Sequence, residues 1–192
     1  YENIMTYFSP LEAEVTPILK ALGQVLAEDI VSPFQILPLD NSAMDGYAVR
    51  HTDIVGSTAA DPKILQVSGL IAAGHLSTVD VVEGTAVRIM TGAPVPTGAD
   101  TVVPFEETDE LSRKGNGLAI TEIGIQQELT RGAHLRPAGE DVEQGEMVLR
   151  KGNVVRPSEV GVLASLGMET VRVIRRPVVA ILATGDELLD SG

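Results

Sequence analysis

Residues Asp40 to Arg50 read Asp-Asn-Ser-Ala-Met-Asp-Gly-Tyr-Ala-Val-Arg, gathering two carboxylates, an amide and a hydroxyl around one glycine, just ahead of a strand-like stretch. Carboxylates act as proton acceptors or as hard ligands for a divalent cation. Asp45-Gly46 is also a turn signal, and Asp and Asn side chains bond their own backbone, so a structural use competes with a chemical one. A turn needs neither the second Asp nor Asn41 and Ser42, which favours a functional loop.

Three further segments carry reactive groups. Arg88 to Pro96 ends a strand-like run with Thr91-Gly92-Ala93-Pro94, where a hydroxyl and a glycine N–H suit an oxyanion. On spacing alone the same residues read as a plain turn closed by Pro94 and Pro96. Arg136 to Asp141 places an arginine shortly before two adjacent acids. On an extended chain Glu140 and Asp141 point to opposite faces, so only one of them serves a given ion. A solvated acidic turn explains that pair equally well. Arg136 is close enough to neutralise an acid or to meet a phosphate. Asp186 and Glu187 follow Gly185 at the end of the apolar run Pro177 to Ala183, as expected of a site at the carboxyl end of a buried parallel strand.

In order and spacing these four segments resemble the molybdopterin molybdotransferase family, enzymes that insert molybdenum into the pterin of the molybdenum cofactor and whose animal relative is gephyrin. The resemblance spans essentially the whole chain, while members of the family continue well past Gly192. It implies catalytic roles for Asp45, Thr91 and Asp141, substrate contacts from Ser42, Gly92 and Arg136, and metal binding by Glu187 and Asp186. It further implies adenylylated molybdopterin and molybdate as substrates, release of AMP, a cytoplasmic location, and a homodimer that shares its site between subunits. Two carboxylates ~4 Å apart repel by about 4 kcal/mol at an effective dielectric of ~20, so acids clustered in space need a counter-ion, and Mg2+ is the natural one. On this reading the chain is an N-terminal fragment, inactive alone. The alternative is a gephyrin-like scaffold whose catalysis is secondary or lost.

Composition restricts the classes independently. A net charge of −13 argues against nucleic acid and anionic membrane as general partners. No stretch is long and apolar enough to span a bilayer. The absence of cysteine removes disulfides and thiolate chemistry, and His51, His75 and His134 lack ligand spacing. Gly69 and Gly74 imitate a phosphate loop, but His75 and Leu76 stand where its Lys and Ser or Thr belong, which argues against nucleotide hydrolysis.

The elements that must position these groups are mixed α and β, mostly β. Leu11, Val15, Ile18, Leu19, Leu22, Val25 and Leu26 predict an amphipathic helix over residues 9–27. Short apolar runs at Ile64 to Ile71, Thr85 to Met90, Thr101 to Phe105 and Leu118 to Ile123 predict strands. Lys114-Gly115-Asn116-Gly117 reads as a hairpin turn, and Glu106, Glu107, Asp109 and Glu110 as a solvated acidic stretch leading into it. A second helix starts near Pro157 and stops at Gly167. The expected architecture is a β-rich domain, 32–145, inserted into a discontinuous α+β domain of residues 1–31 and 146–176. Residues 177–192 would open a truncated α/β domain with its first strand.

Overall fold

A computed structural model describes residues 1–182, 184, 185, 187 and 189. In chain order the elements begin with α1 (Glu2–Met5), β1 (Ala13–Pro17), β2 (Val25–Leu26), β3 (Ile30–Val31), β4 (Asn41–Ser42) and β5 (Gly46–Val49). They continue with β6 (Lys63–Ile71), β7 (Thr85–Ile89), β8 (Thr101–Pro104), α2 (Glu110–Gly115), β9 (Glu122–Ile125) and β10 (Leu135–Arg136). The last are β11 (Met147–Leu149), α3 (Pro157–Ser165) and β12 (Thr170–Ile174). The chain divides into two units, Tyr1–Pro33 with Gly145–Gly192, and Phe34–Gln144.

In the first unit β12 lies between β1 and β2, and β3 pairs with β11, all antiparallel. The helix expected over residues 9–27 is absent. Ala13 to Pro17 instead run extended against Ile174 to Thr170. Val15 and Thr16 are β-branched and Pro17 lacks the N–H that a helix interior requires, whereas a proline is tolerated on an edge strand such as β1. The apolar residues of this stretch share no buried face: Val15 is 66% and Leu19 79% exposed. The helix expected at Pro157 is present. Proline occupies its first turn, the Glu159 carboxylate accepts the Arg156 N–H at 2.9 Å, Leu163 is buried, and Gly167 (φ 68°) turns the chain out.

The second unit is built on a five-stranded sheet in the order β8-β5-β7-β6-β9, parallel between β6 and β7 and antiparallel elsewhere. Its side chains alternate between two cores. Tyr47, Val49, Leu65, Ala86, Val103 and Ile123 pack on one face; Ala48, Ile71, Val87, Ile89 and Val102 pack on the other. Because both faces are covered, the interior strand β5, between β8 and β7, is buried at every position. Gly46 is required there, since a Cβ would lie 2.0 Å from the Val103 carbonyl oxygen.

Three expectations fail in detail. Lys114 to Gly117 close α2 rather than a hairpin: Asn116 N–H bonds to Ser112 O and Gly117 N–H to Lys114 O. Ion pairs at i,i+4, Asp109–Arg113 and Glu110–Lys114, support that short helix. The strand expected from Leu118 starts only at Glu122. Residues 177–182 form no strand, and Val178, Val179, Ile181 and Leu182 are exposed, for no described strand lies beside them to complete a ladder. Among the described residues no helix is long and apolar enough to cross a membrane.

Candidate functional site

Strand pairing brings the two leading segments together. Gly46, the first residue of β5, opposes Ile89, the last of β7. Asp45 immediately precedes β5 and Thr91 stands two residues beyond β7, so both project from one end of the sheet. There Asp45 Oδ1 accepts the Thr91 N–H at 2.7 Å and the Thr91 hydroxyl at 2.8 Å. These two donors, the backbone one foremost, hold the Asp45 carboxyl below its usual range. Asp45 is therefore an ionised, oriented acceptor at neutral pH, and it is exposed.

The neighbouring residues fix the backbone of this end. Ser42 is buried; its hydroxyl bonds to Met44 O at 2.5 Å and accepts Met44 N–H at 3.2 Å. Ser42 thus shapes the loop and offers no free hydroxyl to a ligand. Gly92 (φ 78°) is exposed and donates its N–H to Ser42 O at 2.8 Å. That turn uses the freedom of glycine at positive φ. Asp40 Oδ1 accepts Ala138 N–H at 2.7 Å, and β4 pairs with β10, Arg136 opposite Asn41. The segments at 40–45, 91–95 and 135–141 therefore meet. Asn41 Oδ1 is buried among them with no hydrogen-bond donor.

Arg136, half-buried, reaches both adjacent acids, Glu140 Oε2 at 3.2 Å and Asp141 Oδ1 at 2.6 Å. The expectation that Glu140 and Asp141 face opposite ways is overturned. Gly139 (φ 79°) bends the chain, Glu140 N–H closes a turn on Pro137 O, and one guanidinium collects both carboxylates. Glu187 is exposed and falls in the other unit, and Asp186 lies outside the described residues. Among the described residues no group of three or more His, Asp or Glu side chains is gathered for a metal ion. Those residues alone do not make up a magnesium site.

A buried network beside this end has no counterpart in the sequence-based expectations. Glu110, expected to be solvated, is 2% exposed. Its Oε2 accepts the Tyr47 hydroxyl at 2.8 Å and faces Arg88 Nε at 2.9 Å, while Oε1 accepts Lys114 Nζ at 2.5 Å. Burial pushes its carboxyl up, but the Lys114 and Tyr47 hydrogen bonds and the Arg88 charge outweigh it and hold it below the usual range. The Arg88 guanidinium also lies over the rings of Tyr47 (5.3 Å) and Phe105 (5.6 Å). Tyr47, Arg88, Met90, Glu110 and Lys114 line a pocket of about 510 Å³. Only Arg88, inside the Thr91 segment, carries a hint of this in the sequence. Glu110 lies 63 residues from Tyr47, and no local pattern links them.

One end of the five-stranded sheet thus carries an ionised, exposed carboxylate, and beside it lie the Gly92 turn and Arg136 of β10, paired with two acids. The chain belongs to the family described as MoeA N-terminal region (domain I and II), which matches residues 1–167. It is 43% identical over 176 residues to molybdopterin molybdenumtransferase 2 of Mycobacterium tuberculosis, covering 92% of this chain and 42% of that protein. It is 38% identical over 189 residues to the molybdopterin molybdenumtransferase of Staphylococcus aureus, covering 98% and 43%. The crystal structure of the molybdopterin biosynthesis moeA protein of Pyrococcus horikoshii OT3 superposes with a TM-score of 0.79 at 36% identity, over 86% of this chain and 42% of that one. The chain thus spans less than half the length of these relatives.

Proposed function

We propose that this chain is the N-terminal part of a cytoplasmic molybdopterin molybdenumtransferase that joins molybdate to adenylylated molybdopterin with release of AMP. The observation that carries the reading is the Asp45 carboxylate, fixed by both donors of Thr91 on an exposed sheet end, within a chain of this family. One carboxylate oxygen is anchored. The other has no hydrogen-bond partner among the described residues and is available to a substrate proton or an attacking water. Arg136 meets a phosphate or molybdate oxygen by giving up its pairing with Glu140 or Asp141, and the turn at Gly92 lets such an anion approach the backbone. Magnesium belongs to this reading, with Glu187 the ligand offered by the described residues. In the same reading the Phe34–Gln144 unit is an inserted β-rich domain, and a partner subunit of a homodimer completes the site.

The test is turnover of adenylylated molybdopterin and molybdate by the full-length protein carrying Asp45→Asn. We expect AMP release to fall by about 10²–10³-fold with folding intact, as on loss of a positioned acid–base or electrostatic group. Near-normal release would remove Asp45 from the mechanism.

A further inference from the structure

Arg88 touches the roots of both loops that carry the site. Its Nη1 donates to Gly46 O at 3.1 Å and to Ile89 O at 3.0 Å. Gly46 follows Asp45 directly, and Ile89 comes two residues before Thr91. One nitrogen therefore ties together the two chain segments whose separation decides whether Thr91 reaches Asp45. The Arg88 side chain is 14% exposed, so its charge is mostly removed from water. That placement costs free energy unless a counter-charge is built in. Glu110 is that counter-charge, and it is itself held by Tyr47 on β5 and, one turn along its own helix α2, by Lys114. If filling this space were the whole requirement, an apolar side chain would meet it without burying any charge.

We propose that Arg88 is a positioning residue that locks the Asp45 loop to the Thr91 loop, and that Glu110, held by Tyr47 and Lys114, aims Arg88 at the two carbonyls. Lysine cannot replace it, because a single ammonium cannot meet the carboxylate at one edge and both carbonyls at another. The inference depends on the transferase reading only for what Asp45 and Thr91 accomplish, not for the clamp itself.

Two signatures separate positioning from plain stabilisation. The groups facing Asp45 are Thr91 and, more distantly, Arg88. Removing a negative charge with Glu110→Gln would, by Coulomb's law alone, lower the Asp45 titration midpoint. Loss of aim moves it the other way, since Thr91 drifts off the carboxylate. We therefore expect carbon-detected NMR titration of the full chain to show the Asp45 midpoint rising toward the ordinary carboxylate range in Glu110→Gln and in Arg88→Lys. Thr91 N–H should exchange about tenfold faster while the Val49 amide stays protected. Tyr47→Phe, which removes a single hydrogen bond, should move both readouts the same way by less, and serves if Glu110→Gln does not fold. An Asp45 midpoint that is unchanged or lower, with Thr91 exchange as in the parent, overturns the proposal.

In the full-length protein Glu110→Gln should lower kcat by about tenfold with KM within about twofold, as expected when a reacting group loses its aim rather than its affinity. Asp45→Asn run alongside distinguishes the two readings. If Asp45→Asn turns over normally while the Asp45 midpoint still rises in Glu110→Gln, the transferase reading falls and the clamp stands. If Asp45→Asn is inactive and the midpoint does not move in Glu110→Gln, the clamp falls.

Discussion

The contact between Asp45 and Thr91 is worth more as orientation than as stability, because both residues are exposed and solvent screens them. Its effect is on protonation. A carboxyl depressed by folding contributes stability above its unfolded pKa and loses that contribution as pH falls through the folded value. Thr91→Val keeps the backbone donor and deletes the hydroxyl, so the Asp45 midpoint should rise while staying below the ordinary value of about 3.9. Its acid limb of stability should shift to higher pH in step. Carbon-detected NMR of the Asp45 carboxyl, read against urea unfolding at several pH values, measures both. A Thr91→Val midpoint equal to that of the parent would mean the hydroxyl bond does not form in solution.

The strands do the positioning. Asp45 and Thr91 are 46 residues apart, and they meet because β5 and β7 run antiparallel and end in register. Gly46 guards that register, since β8 passes so close that a Cβ would overlap the Val103 carbonyl. Gly46→Ala should therefore cost about 2–4 kcal/mol, as overpacking forces strands apart. Gly23→Ala is the control: its backbone is left-handed (φ 82°) but nothing lies within 4 Å of the added carbon, so about 1–2 kcal/mol of conformational cost is expected. Denaturant melts of the two variants decide whether close approach or backbone conformation dominates. Equal losses would refute the close-approach account.

For the whole molecule the dominant number is the net charge of −13. Among the described residues most of the ion pairs have at least one exposed partner and add little, whereas self-repulsion of the acids acts over the entire surface and opposes compaction. Raising salt from about 0.02 to 0.5 M shortens the screening length several-fold, so the thermal midpoint at neutral pH should rise. A fall would show that ion pairs outweigh repulsion.

Several features are legible in the order of residues alone. The apolar runs at Ile64 to Ile71 and Thr85 to Met90 are strands, and Pro157 with Gly167 brackets a helix, because period and punctuation are local properties that a short peptide already carries. Local crowding of polar groups around Gly46 and Thr91 also singles out the loops that come together. The helix expected over residues 9–27 fails for the converse reason: its apolar spacing is suggestive, but pairing with a strand some 160 residues away outweighs local propensity. Glu110 looks solvated in the sequence since its counter-charges come from Arg88 on a distant strand as well as Lys114 nearby. The types of the reactive residues and the local periods are set by the chain itself. Which carboxylate is held by a threonine, which is buried against an arginine and which pair shares one guanidinium depend on strand register and burial, which are non-local and exist only once the sheet has closed.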